Sequence, residues 1–183
     1  HRTWKYGLIG MRFSHVPWGC GLWPAFWTHA PGYPWPEGGE FDIFEYVNDI
    51  PSQTSFHTGA RNRCKLAGSM VNKPFCPVMP DMNGMDYDCT TKYPLQLGCA
   101  VNRAPLMNGQ DWANFPSVIL VEWTERFLKV FVIPEQAIPE DLHEDKPKPN
   151  TWDRWLVSYY PFAQSNELYN DTCPSPGDVM QPQ

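Results

Sequence analysis

The sequence has few charged residues and lacks any long hydrophobic run. Only 19% of its 183 residues are charged, and no run of about 18 apolar residues is present that could span a membrane. Basic residues number 14 against 20 acidic ones, for a formal net charge of −6, so there is no basic stripe to contact phosphates. We therefore expect neither a membrane nor nucleic acid as a partner.

Several common catalytic motifs are also missing. The chain contains no Gly-x-Ser-x-Gly elbow, phosphate-binding loop, dinucleotide fingerprint or His-Glu-x-x-His zinc helix. The five histidines do not have the spacing of metal ligands; they are His1, His15, His29, His57 and His143. We expect no catalytic metal and no cofactor.

Proline and cysteine are abundant. The 20 prolines exclude long helices and favour short extended segments joined by turns. Six cysteines without a Cys-x-x-Cys pair favour disulfides over zinc, with a pairing that spacing does not reveal. Together with an Asn-x-Thr sequon at Asn170, they predict a secreted protein. Because the chain starts at His1, we expect it to be an internal fragment of that protein.

Short apolar or alternating runs predict an all-β fold. The runs are 5–16, 22–29, 40–47, 54–59, 117–124 and 126–133. The last two predict a hairpin around Thr124-Glu125-Arg126. Residues 59–116 look like long loops tied by disulfides, and the proline-rich run 134–150 like a surface loop without a regular element. The ending 173–183 predicts a disordered tail or a loop cut before its next strand.

The strand "EFDIFE" carries three acidic residues. Glu40 and Asp42 share one face of a strand, but Glu45 has the wrong parity. A β-bulge at Ile43-Phe44 would add one residue and return Glu45 to the face of the other two. In a helix, Glu40 and Glu45 would lie about 140° apart, so the helical alternative fails.

Three acids on one face repel one another, which suggests a chemical use. One carboxylate that stays ionised and a neighbour that stays protonated are what acid/base and nucleophilic catalysis need. Retaining glycoside hydrolysis requires two carboxyls roughly 5 to 5.5 Å apart, whereas Cα atoms four strand positions apart span about 13 Å. A bent sheet and inward-leaning side chains would therefore be needed. A calcium loop or a solvated acidic strand is the alternative.

The surroundings of this strand resemble a known family. The segment "GCGLWPAFWTHAPGYPWPEGGEFDIFEYVN" is similar to the laminarinase-like branch of glycoside hydrolase family 16, with its Trp-Pro-Ala-x-Trp and bulged Glu-x-Asp-x-x-Glu motifs. "SFHTG" looks like the family's Leu-His-Thr strand, and "LGCAV" like its Gly-Cys-Ser-Val turn. "VEWTERFLKVFVIP" resembles the family's Glu-Trp-Thr hairpin. The resemblance spans nearly the whole chain.

The resemblance implies a β-jelly-roll sandwich of two curved antiparallel sheets, concanavalin A-like, with a concave cleft. It also implies endo-hydrolysis of β-1,3- or mixed β-1,3/1,4-glucan with retention. Glu40 would be the nucleophile, Glu45 the acid/base and Asp42 the assisting carboxylate. A structural calcium ion occurs in parts of the family, but nothing in the sequence locates one.

Further residues are implied as substrate contacts. Trp27 and Trp35 match positions where the family places platforms for sugar rings; a core tryptophan is the alternative for either. Trp23, beside Pro24, is predicted to lie in the core. His57 matches a family histidine that could bond Asp42 or the substrate, or could be structural.

The family's domain is larger than this chain. We therefore expect residues 1–183 to form one domain, incomplete at both ends, that acts as a monomer on a β-glucan partner. The alternatives are a transglycosylase with the same site and a glucan-recognition module that binds without cleaving. The resemblance does not fix which glucan linkage is preferred. In the loops of 59–116, which would shape the cleft, "MNGQDWANFPS" stands in place of the family's usual Gly-rich segment.

Overall fold

Two antiparallel four-stranded sheets make up the molecule. The computed structural model describes residues 2–61, 64, 89–91, 98–101, 107–161 and 180–183. One sheet has the order β1 (Gly7–Phe13), β6 (Ser117–Trp123), β7 (Phe127–Pro134) and β8 (Leu156–Pro161). The other has the order β2 (Ala25–His29), β3 (Glu40–Glu45), β4 (Gln53–His57) and β5 (Cys99–Val101). The predicted all-β fold and each of its six predicted runs are confirmed.

The main core lies between the two sheets. Alternation along β3, β4, β6 and β7 turns one side chain in two toward the opposite sheet. Phe41 is 1% exposed and packs edge-on against Phe56 and Tyr160, with ring centroids 6.2 and 5.3 Å away. The Tyr160 hydroxyl lies 2.9 Å from the Thr54 hydroxyl and also donates to the Thr54 carbonyl, which joins β8 to β4.

The predicted hairpin is present between β6 and β7. Trp123 pairs with Leu128, and the Thr124 amide donates to the Phe127 carbonyl across the turn. The Thr124 hydroxyl also accepts from the amides of Arg126 and Phe127. These bonds fix the turn where the sequence pattern placed it.

A second hydrophobic cluster covers the outer face of the first sheet. Trp152 is fully buried there against Phe131, with ring centroids 5.5 Å apart, and its indole N–H donates to Asp141. The prediction of a loop without regular elements over 134–150 was wrong. This segment holds the 3-10 turns Glu135–Ala137 and Pro149–Thr151 and the short helix Glu140–His143, here α2. Apolar Ile138 and Leu142 pack against the cluster, and burying their side chains stabilises the folding of this segment onto the sheet.

The prediction of disulfide-tied loops over 59–116 is confirmed only in part. Cys89 and Cys99 form a disulfide, and Cys64 is also disulfide-bonded. Cys99–Val101 is a strand, however, and not the turn expected from the resemblance. A five-residue helix, α1 (Gly109–Ala113), follows with Asn108 as its N-cap. Most of 59–106, and the sequon at Asn170, lie outside the described residues.

The structure also bears on the cysteines and the chain end. Cys20 is an exposed free thiol, so not every cysteine forms a disulfide. Of the two alternatives for 173–183, a disordered tail does not fit residues 180–183, because Met180 is buried and the backbones of Gln183 and Trp4 bond each other in both directions. No helix in the described part of the chain is long and apolar enough to cross a membrane.

Candidate active site

The bulge predicted in β3 is present. Trp27 pairs with Asp42 while the preceding Phe26 pairs with Phe44, which leaves Ile43 without a partner on β2. On the other side of β3 the register also shifts between Asp42 and Glu45. The extra residue brings Glu45 to the face of Glu40 and Asp42, as the pattern of acids predicted.

Polar side chains of β4 lie opposite each of the three acids. The register pairs Glu40 with His57, Asp42 with Ser55, and Glu45 with Gln53. Thr54 and Phe56 alternate with these residues and contact Tyr160 and Phe41 in the core. The face of the second sheet turned away from the core is therefore lined by two rows of polar groups.

A tight turn places Trp35 over Glu40. The amides of Glu37 and Gly39 donate to the carbonyls of Pro34 and Pro36, and Gly39 has a φ of +77° that favours glycine. The Trp35 indole N–H donates to Oε2 of Glu40. Burial raises the pKa of Glu40 to about 7, and the charge of Asp42 adds to this effect. His57 and the Trp35 bond oppose the rise.

Asp42 is the most buried of the three acids, at 5% exposure. Its Oδ2 atom accepts from the Ser55 hydroxyl at 2.7 Å and lies 3.1 Å from Nε2 of His57. Nδ1 of His57 lies 3.2 Å from the Thr91 hydroxyl. With a proton on Nε2, His57 donates to Asp42 and accepts from Thr91.

The backbone around His57 is held closely. Thr58 bonds Cys89, and Thr91 bonds Thr58, so the segment 89–91 runs beside the end of β4. A Cβ atom on Gly98 would come within 2.8 Å of Nδ1 of His57, so glycine leaves room for the ring. The Cys89–Cys99 disulfide joins the segment that carries Thr91 to β5.

Three donor groups lie within hydrogen-bonding distance of Glu45. Its Oε1 atom accepts from Nε2 of Gln53 at 3.0 Å and lies 3.2 Å from the Ser55 hydroxyl. Its Oε2 atom accepts from the Trp23 indole N–H at 3.0 Å. These donors hold the carboxylate at a fixed position above the bulge.

Three tryptophans stand exposed near the acids. Trp27 is 47% and Trp35 45% exposed, so neither is a core residue. The prediction that Trp23 lies in the core was wrong, since it is 68% exposed with its indole N–H on Glu45. Trp27 stacks on His29, which pairs with Glu40 across the β2–β3 ladder. The exposed rings offer flat apolar faces beside the carboxylates.

Several residues of the site were not predicted from the sequence. Alternation in "QTSFH" could have revealed Gln53 and Ser55, because both share the face of His57. No sequence signal pointed to Thr91, which reaches His57 through tertiary structure.

Among the described residues, one donor atom each of Glu40, Asp42 and His57 lies within 4.8 Å of the other two, a set that could hold a metal ion. The expected absence of a metal stays a prediction.

Comparison with known proteins gives a consistent result. Residues 1–172 match the family model described as XgeA-like, catalytic GH16 domain. The chain is 31% identical over 166 residues to an endo-1,3(4)-β-glucanase of Arthroderma benhamiae, covering 82% of this chain and 32% of that protein. It is also 31% identical over 148 residues to the endo-1,3(4)-β-glucanase xgeA of Emericella nidulans, covering 77% of this chain and 21% of that one.

A solved structure has the same fold. Laminarinase 16A of Phanerochaete chrysosporium, solved with β-glucans in donor and acceptor sites, matches with a TM-score of 0.72 at 25% identity. The match covers 98% of this chain and 56% of that one. The predicted jelly-roll sandwich is thereby confirmed. The chain spans about a third or less of the two curated relatives named above.

Proposed function

The chain belongs to glycoside hydrolase family 16, and we propose that it is the catalytic part of a secreted endo-hydrolase that cleaves β-1,3- or mixed β-1,3/1,4-glucan with retention. The names of the relatives, endo-1,3(4)-β-glucanases, support this substrate class. The disulfide supports an oxidising compartment. The protein acts as a monomer in this proposal.

The observation that carries the proposal is the bulged strand. Glu40 and Glu45 lie on one face, and each accepts an indole N–H from a different exposed tryptophan. Two carboxyls with different environments on one face are what a double displacement needs. Asp42 lies between them and is buried and hydrogen-bonded.

In the first step, the Glu40 carboxylate attacks the anomeric carbon. The glycosidic C–O bond breaks, and the Glu45 carboxyl gives its proton to the departing sugar oxygen. The Trp35 N–H and the imidazole of His57 both favour ionised Glu40, whose pKa is raised to about 7 by burial and by Asp42. The nucleophile is therefore ionised in most molecules above that pH.

In the second step, the Glu45 carboxylate takes a proton from water. The water oxygen attacks the anomeric carbon, and the bond to Glu40 breaks. Gln53, Ser55 and Trp23 all donate to Glu45 and stabilise its ionised form between the two steps. Trp27 and Trp35 supply stacking surfaces for the sugar rings, and His57 holds Asp42.

The first test is a product profile on laminarin and on mixed-linkage β-glucan. We expect short oligosaccharides from the wild-type chain and a loss of cleavage rate of about 1000-fold or more with E40Q or E45Q. E125Q, which removes an exposed glutamate in the hairpin turn, is the control and should cleave normally. Thermal unfolding shows that each variant is folded. Products longer than the substrate would indicate transglycosylation; glucan binding without cleavage by the folded wild type would refute hydrolysis.

The roles of the two glutamates are separated by azide. With an aryl β-glycoside that needs no protonation to leave, E45A still forms the glycosyl-enzyme, and azide then attacks it to give a β-glycosyl azide. E40A cannot form that intermediate, so azide displaces the aryl group directly and gives the α-azide. The opposite pair of products would exchange the roles of Glu40 and Glu45.

A further inference from the structure

The hydroxyl of Ser55 faces both Asp42 and Glu45. It lies 2.7 Å from Oδ2 of Asp42 and 3.2 Å from Oε1 of Glu45. Ser55 is 2% exposed, so solvent does not compete for the hydroxyl. A hydroxyl has one proton, and it therefore donates to one of the two carboxylates at a time.

Whichever carboxylate the Ser55 hydroxyl donates to, the other keeps a hydrogen-bond donor. When Ser55 donates to Glu45, Oδ2 of Asp42 still has Nε2 of His57 at 3.1 Å. When Ser55 donates to Asp42, Oε1 of Glu45 still has Nε2 of Gln53 at 3.0 Å. In both orientations of the hydroxyl, Oδ2 of Asp42 and Oε1 of Glu45 therefore each keep a hydrogen-bond donor.

We propose that Ser55 is a positioning residue whose hydroxyl turns from Asp42 to Glu45 each time Glu45 loses its proton. This inference rests on the proposed double displacement, in which Glu45 alternates between acid and carboxylate. While Glu45 is protonated, Asp42 is the better acceptor for Ser55. Once Glu45 has protonated the leaving oxygen, its new negative charge attracts the hydroxyl.

No covalent bond of Ser55 forms or breaks in this cycle, and the proton stays on the Ser55 oxygen. The effect is on Glu45, whose carboxylate gains a donor only when it is charged. Among the described residues, the titratable groups facing Ser55 are Asp42 and Glu45 on β3 and His57 on β4. Glu40 lies beside Asp42 on the same face, whereas β5 presents Ala100 opposite Ser55.

The test is the pH profile of S55A on laminarin. S55A removes a donor from the ionised form of Glu45 and none from its protonated form, so the basic limb of kcat/KM should move to higher pH. We expect kcat/KM at neutral pH to fall by about 10- to 100-fold, as for loss of a hydrogen bond to a charged group. S55T keeps a hydroxyl at this strand position and should restore the wild-type limb.

S117A is the matched control. Ser117 is also a fully buried strand serine, and its hydroxyl has no hydrogen-bond partner among the described residues. The control should keep the wild-type pH profile. If S55A lowers the rate without moving the limb, or if S55T is as defective as S55A, Ser55 is only structural and the proposal fails. A wild-type chain that does not cleave glucan would instead refute the proposed function itself.

Discussion

At the scale of single residues, the raised pKa of Glu40 links the site to stability. Burial and the charge of Asp42 raise this pKa from 4.5 to about 7, so the folded protein binds more protons than the unfolded chain between these values. The free energy of unfolding therefore falls as the pH rises through this window. Glu40 thus costs stability at the pH where it would act as a nucleophile.

We predict that E40Q gains stability over wild type as the pH rises. Glutamine does not ionise, so the difference in unfolding free energy between E40Q and wild type should be larger at pH 8 than at pH 4. We expect this change to be about 1–2 kcal/mol, because Glu40 is only partly buried and solvent screens the shift. Urea unfolding at both pH values measures it, with E125Q as control. A difference that does not vary with pH would contradict the raised pKa.

Some features of the site could be predicted from local sequence, and others depend on tertiary contacts. The spacing of Glu40, Asp42 and Glu45 predicted that they share one face, because strand parity and one bulge determine which face each takes. Their catalytic roles were implied only by the family resemblance. Trp23, which stands beside Pro24, was predicted to lie in the core, yet it is exposed and its indole N–H donates to Glu45. An indole suits either setting, and its sequence neighbours do not distinguish them.

At the scale of elements, the segment 134–155 packs on the outer face of the first sheet. Its buried Trp152 donates its indole N–H to Asp141 at 3.1 Å. Asp141 also accepts from the Lys148 amide at 2.6 Å, which closes the turn after α2. One carboxylate thus joins α2, the proline-rich turn and the buried ring.

We predict that D141A destabilises the protein without affecting catalysis. The change leaves the buried Trp152 N–H without an acceptor, which should lower the unfolding free energy by about 1–3 kcal/mol. D141N keeps one side-chain oxygen and should lose less. Denaturant unfolding gives the stability, and laminarin cleavage at low temperature gives the activity. A drop in kcat/KM equal to that of a site variant would show that this segment shapes the active site.

The strands themselves were largely predictable. Alternation and turn residues located β1 to β4 and the β6–β7 hairpin, since period-2 patterns report a half-buried strand directly. β8 and β5 were missed. Both lie in stretches whose strand character depends on neighbours that are distant in sequence, such as β7 for β8 and β4 for β5.

At the scale of the whole molecule, the sheet that carries the candidate active site packs against the other sheet. Tyr160 of β8 reaches across the core and bonds Thr54, the residue before Ser55. The same hydroxyl lies 3.3 Å from the Cys99 carbonyl of β5. Burial raises the pKa of Tyr160 well above its ordinary value, so the phenol stays protonated throughout the working range.

We predict that Y160F lowers the unfolding free energy by about 1–2 kcal/mol, because Thr54 loses its buried hydroxyl partner. Since the phenol does not ionise near neutral pH, this loss should be the same at pH 6 and pH 8. Thermal unfolding at both values measures it, and E125Q, a change at an exposed residue of the hairpin turn, is the control. A loss confined to the higher pH would mean that Tyr160 ionises in the folded protein.

The all-β class, the hairpin, the bulge and the shared face of the three acids could be predicted from sequence, because these depend on periodicity and spacing within a few residues. Tertiary structure alone decided the cover over the outer sheet, the exposed position of Trp23, and the pairing of Cys89 with Cys99. It also decided the approach of Thr91 to His57. Each of these contacts joins segments that are distant along the chain, and their meeting depends on how two sheets pack and not on any local pattern.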